Sequence, residues 1–104
     1  MQNAPDTLLT LIAPTALEEP LADLLIAMPE LAHGFTCGPV EGRGVNVPLV
    51  GADESVRGRG KRIRIDIALD SAARGPLLEA LRTALPGARI FHWSTALLDC
   101  GRLW

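Results

Sequence analysis

The chain has 104 residues and a mass of 11.1 kDa, with 48% apolar residues and a mean hydropathy of +0.23, which bounds it to one domain with a single core. A formal net charge of −2 gives no bulk attraction to nucleic acid or to a membrane surface, so no nucleic-acid partner is expected. No run of 18 apolar residues is present, and Met1–Asp6 lacks a basic stretch, so neither a membrane span nor a secretory signal is predicted and the cytoplasm is the expected location.

Residues 7–13, Thr-Leu-Leu-Thr-Leu-Ile-Ala, form a short apolar run ended by Pro14, which predicts a strand buried on both faces. Thr15-Ala16-Leu17-Glu18 has the capping-box pattern and predicts a helix start. Leu17, Leu21, Leu24, Leu25 and Met28 follow at helical spacing until Pro29, while Pro20 can shift the true start by a few residues. Residues 33–41 predict a second strand, and its Gly and Pro favour an edge position. Residues 42–60 hold five glycines and no period, which predicts a long loop of functional character.

Ile63, Ile65, Ile67 and Leu69 alternate with Arg62, Arg64, Asp66 and Ala68, the pattern of a strand with one face on a core. Ser71–Leu85 predicts a second helix with Leu77, Leu78, Leu81 and Leu85 inward and Pro76 near its first turn, closed by Pro86-Gly87. Residues 89–97 predict the last strand. The order β-α-β-loop-β-α-β is the ferredoxin-like pattern, an α+β class. Right-handed crossovers then place both helices on one face of a four-stranded antiparallel sheet ordered β4-β1-β3-β2. The second face is bare and half apolar, which predicts self-association.

Several segments resemble the PII signal-transduction family and its PII-like relatives. Ile12-Ala13-Pro14 looks like the family's Ile-x-Pro at the end of the first strand. Gly34-Phe35-Thr36 with Val40-x-Gly42-x-Gly44 is similar to its Gly-Met-Thr-x-x-x-Val-x-Gly-x-Gly segment, and Gly87-Ala88-Arg89-Ile90-Phe91 resembles its Asp-Gly-Lys-Ile-Phe. Residues 56–62 and Trp93 look like a smaller set of uncharacterised bacterial PII-like proteins, often associated with heavy-metal efflux systems.

The resemblance implies a PII-like homotrimer whose loop, residues 43–60, contacts a membrane transporter, an efflux component or an enzyme. It also implies a nucleotide in the clefts between subunits. Thr36, Gly42 and Gly44 would lie at the loop base, and Arg89 would match a phosphate-binding Lys. Three departures argue against classical ATP and 2-oxoglutarate sensing. Ala88 replaces a Gly, the family's two late arginines are reduced to Arg102 at best, and the loop has no Tyr to be uridylylated.

The small net charge conceals an asymmetry. Residues 1–42 carry six acids and no Lys or Arg, whereas residues 43–64 carry six bases and two acids. Arg57, Arg59, Lys61, Arg62 and Arg64 fall within eight positions. Guanidinium forks beside glycine amides suit phosphate or carboxylate oxygens, so this cluster is a candidate anion or nucleotide site. The bland reading is that Arg62 and Arg64 pair with Asp66 or Glu41. The Gly58-x-Gly60-Lys61 stretch is not a Walker motif, and no aromatic residues interleave the cluster for RNA.

His33, Cys37, His92 and Cys100 carry ligand types suited to Zn²⁺ or Cu⁺. His33 and Cys37 are four apart, about 13 Å along a strand. With β2 and β4 at opposite edges, a mixed site requires two subunits, as in a CutA-like metal-binding trimer, and the bland reading is two inert cysteines. Thr36 or Ser94 near His92, with Asp66 or Asp70 as orienter, lacks any catalytic spacing, so no enzyme is expected. The sequence-level reading is a small PII-like regulatory protein, with a metal-binding trimer or a purely structural oligomerisation module as alternatives.

Overall fold

The computed structural model describes residues 4–43 and 60–104. Its elements run β1 (Thr7–Pro14), a single 3-10 turn (Thr15–Leu17), α1 (Glu18–Ile26), β2 (Phe35–Gly42), β3 (Gly60–Leu69), α2 (Ser71–Ala84) and β4 (Phe91–Ala96). The four strands form one antiparallel sheet ordered β2-β3-β1-β4. This is the expected ferredoxin-like α+β arrangement.

Period-2 alternation decides which side of each strand meets the helices. Leu9, Leu11 and Ala13 of β1 join Ile63, Ile65, Ile67 and Leu69 of β3 on that side. Leu21 and Leu25 of α1, and Leu77 and Leu81 of α2, are four apart, so each pair shares a helix face, and all four are buried against the strands. Each fully buried Leu or Ile contributes about 1.5–3 kcal/mol of transfer free energy.

The helix starts differ from the expectation. No side chain caps α1, because the chain first makes the 3-10 turn at Thr15–Leu17 and becomes α-helical only at Glu18. Thr15 therefore lies upstream of the helix, and the capping box does not form. Pro20 explains the shift. With α1 starting at Glu18, Pro20 falls in the first turn, where its missing N–H has no intrahelical role. The second helix begins at Ser71 with Asp70 as its N-cap, the carboxylate accepting the Ala72 amide at 2.8 Å. Pro76 is consequently inside the helix rather than in its first turn.

Asp6 ties the start of β1 to the start of α2. Its carboxylate accepts the Ser71 amide at 2.8 Å and the Ser71 hydroxyl at 3.3 Å. The Ser71 amide, the Thr7 hydroxyl and lesser hydrogen bonds hold the Asp6 carboxyl below the usual carboxylate range. At the other end of the same junction, the Leu97 amide donates to the Asp6 carbonyl at 2.9 Å.

Candidate functional site

The ends of β2 and β3 form a neck on either side of residues 44–59, so the loop expected there lies outside the described residues. Val40 pairs with Arg62, Glu41 with Lys61, and Gly42 with Gly60. Gly42 and Gly60 are both buried. Two residues without side chains let the strands close fully at the neck while Arg62 and Arg64 stand immediately beside it. A cleft of about 400 Å³ opens here, lined by Ile12, Glu41, Arg43, Arg64, Phe91 and Trp93 among others.

The side of the sheet away from the helices carries a linked polar and aromatic array. The Thr10 hydroxyl donates to Asp66 Oδ1 at 2.6 Å. Arg64 Nε donates to Asp66 Oδ2 at 3.0 Å, and the Arg64 guanidinium lies over the Trp93 ring at 5.8 Å. Trp93 in turn meets Phe91, with centroids 5.9 Å apart and rings tilted by 58°. Burial alone would raise the Asp66 pKa, but the hydrogen bonds from Thr10 and Arg64, and the charge of Arg64, outweigh it and bring the carboxyl below its ordinary value. The Asp66 bond engages Nε, and the Nη groups carry the other four N–H donors of the fork. An Arg braced on one side by a carboxylate and beneath by an indole is preorganised for an anion at that site.

The sequence candidates divide into three sets. Gly42, Arg62 and Arg64 come together at or beside the neck, whereas Thr36, expected at the loop base, lies at the other end of β2, about 20 Å along the strand from Gly42. Thr36 pairs with Asp66 in register and lines a second depression with Arg64. Arg62 is only 3% exposed, and one Nη donates to the Lys61 carbonyl at 2.8 Å, so part of its role is to brace β3. The expected Arg64–Asp66 pairing also forms. Gly44, Arg57 and Arg59 lie outside the described residues. Arg89 is exposed just before β4, at the same end of the sheet as the neck. Two strands separate β4 from β2, roughly 14 Å at ordinary strand spacing. One ligand that joins the neck to Arg89 therefore needs a second subunit or a long reach.

Cys37 and Cys100 are free and exposed. Cys37 lies on the β2 edge and His92 on the β4 edge, while His33 precedes β2 and Cys100 follows β4. Among the described residues of one chain, no group of three or more His, Cys, Asp or Glu could hold a metal. His92 pairs with Leu11 on the helix side of the sheet, away from Asp66, and Asp70 is occupied as a helix cap.

The sequence reading passed over Thr10, which it took for one more residue of an apolar run. A Thr at the centre of such a run was the available signal, since a buried hydroxyl requires a partner. The contact between Trp93 and Arg64 has no local signal, because 29 positions separate the two residues.

A family model described as "Protein of unknown function (DUF3240)" matches residues 3–104. Among solved structures, a DUF3240 family protein from Shewanella baltica OS155 superposes with a TM-score of 0.77 at 22% identity, covering 98% of this chain and all of that one. CPII, a nitrogen regulatory PII-like protein from Thiomonas intermedia K12 bound to ADP, AMP and bicarbonate, gives 0.69 at 23%, covering 94% of each chain. CutA from Synechococcus elongatus PCC7942 gives 0.71 at 16%, covering 97% of this chain and 88% of that one. No curated protein matches the sequence. The expected fold is thus present, and it is one shared with these PII-like and CutA structures. Among the described residues, no helix is long and apolar enough to cross a membrane.

Proposed function

The chain belongs to the DUF3240 family, and from that premise we propose that it is a cytoplasmic PII-like regulatory protein, not an enzyme, that assembles as a homotrimer and binds an adenine nucleotide or a similar anion at its subunit clefts. The observation that carries this reading is Arg64, braced by Asp66 and stacked on Trp93 beside the Gly42–Gly60 neck. The PII-like neighbour bound to ADP and AMP supports the choice of ligand class. In the trimer, the neck of one subunit and Arg89 of another approach a shared phosphate. Binding neutralises these cations and couples ligand to residues 43–60, which contact the protein partner, a membrane transporter or efflux component.

The test is a thermal shift with ADP, AMP, ATP, Zn²⁺ and Cu⁺, because a ligand that binds only the folded state raises its Tm. We expect a shift with an adenine nucleotide that is lost in Arg64→Ala and in Arg89→Ala. A shift with metal alone, lost in Cys37→Ser, would replace this reading with the metal-binding trimer. No shift with any of them would leave a structural module.

A further inference from the structure

On the sheet side away from the helices, Thr10 lies between two partners in register, Asp66 of β3 on one side and Trp93 of β4 on the other. Arg64 is two residues before Asp66 on β3, so it shares that side. Its guanidinium reaches the Trp93 ring at 5.8 Å, which takes the side chain across β1. Thr10 is buried in the sheet, whereas Arg64 is exposed and lines the cleft at the neck.

The two oxygens of Asp66 are held by different residues. Oδ1 accepts the Thr10 hydroxyl at 2.6 Å, and Oδ2 accepts Arg64 Nε at 3.0 Å. A carboxylate beside a guanidinium commonly takes two parallel N–H bonds from the fork. With Oδ1 fixed to Thr10, Asp66 meets Arg64 through one oxygen at Nε. The four N–H donors on the Nη groups are then left to a bound anion.

We propose that Thr10 is a positioning residue for the anion site at Arg64: its hydroxyl anchors Asp66 Oδ1, which keeps the carboxylate on Nε and leaves the two Nη groups to two oxygens of one phosphate. This inference rests on Arg64 as the anion-binding residue of the reading above, and it adds the residue that sets the geometry of its fork. Without the Thr10 hydroxyl, the carboxylate can turn about its broad terminal torsion and take an Nη in competition with the phosphate.

The test is the dissociation constant for ADP, measured by titration calorimetry on the full chain. Thr10→Val keeps the shape and removes the donor. It should weaken ADP binding by roughly tenfold, the low end of what loss of a supporting partner costs a metal ligand. Thr10→Ser keeps the hydroxyl and should bind within about twofold of wild type, and in the Arg64→Ala background Thr10→Val should have no further effect, because residues that act through one another are not additive. Circular dichroism checks folding at the titration temperature, and Thr10→Ala, which also removes the donor, takes the place of Thr10→Val if that variant does not fold. A wild-type chain that does not bind ADP, or binds it equally well after Arg64→Ala, overturns the reading of Arg64 and the role of Thr10 together. ADP binding that depends on Arg64 but is unchanged in Thr10→Val leaves the reading of Arg64 standing and overturns the role of Thr10. Equal losses in Thr10→Val and Thr10→Ser, or a Thr10→Val loss that adds to that of Arg64→Ala, overturn it as well.

Discussion

The Thr10 hydroxyl, 1% exposed at the centre of β1, donates a 2.6 Å hydrogen bond to Oδ1 of Asp66 on the neighbouring strand β3. The two residues are 56 positions apart, and the bond joins the sheet's centre to the Arg64–Trp93 array. Thr10→Val keeps the shape and removes the donor. It should lower the free energy of unfolding by about 1–3 kcal/mol, the range for stranding a partly buried charged acceptor. Urea titration measures this, and Thr10→Ser should recover most of the loss. A loss in Thr10→Ser with little or none in Thr10→Val would mean that packing of the methyl group, rather than the hydroxyl, matters here.

Asp6 and Asp66 give the acid limb a defined sign. Both carboxyls titrate below the ordinary aspartate value in the folded chain. A depressed folded pKa contributes stability that is present above the unfolded value and lost as pH falls through the folded one. Unfolding free energy should therefore drop as pH is lowered from about 4 into the range below it. In Asp6→Asn and Asp66→Asn the drop should be shallower. Chemical denaturation at a series of acidic pH values measures the slopes, and a wild-type slope retained in both variants would exclude these two groups as its source.

Two glycines should respond differently to a methyl group. Apart from its chain neighbours, a Cβ at Gly75 or at Gly87 would meet no atom within 4 Å. Gly75 lies in α2 directly before Pro76, so the gain of about 0.5–1 kcal/mol in helix propensity is opposed by the Pro ring against the new Cβ, and Gly75→Ala should change stability by less than about 1 kcal/mol. Gly87 sits at φ +76° beyond the end of that helix, a left-handed conformation that costs an L-residue about 1–2 kcal/mol. Gly87→Ala should lower Tm by several degrees where Gly75→Ala changes it little. A calorimetric scan of both variants checks the pair, and equal losses would refute the conformational account.

Phe91 and Trp93 are each 38% exposed on the sheet face away from the helices. If that face packs between subunits, Trp93→Ala removes an aromatic anchor and the stack beneath Arg64. The oligomer should then dissociate at roughly tenfold or higher concentration, while the circular dichroism of the subunit stays unchanged. Light scattering over a dilution series reads this directly. An oligomer that survives dilution as well as the wild type would move the interface off this face.

Local pattern alone determined which segments are strands and helices and, for β3 and the two helices, which side faces the core. Ile63, Ile65, Ile67 and Leu69 repeat every second residue, and Leu77 and Leu81 every fourth, so both faces can be read without knowing the neighbours. Crossover handedness then leaves one order for four strands. The resemblance at Ile12–Pro14, Gly34–Gly44 and Gly87–Phe91 pointed to the same fold. Only the tertiary structure decided the rest, because each remaining feature depends on residues brought together by strand register. Register places Thr10 opposite Asp66 and Trp93 opposite Thr10, and this puts the indole under Arg64. It also divides the basic cluster, leaving Arg62 buried as a brace and Arg64 exposed beside the neck. The same sheet order carries Arg89 to the far edge from the loop base. A ligand that joined the neck to Arg89 would therefore need a second subunit or a long reach.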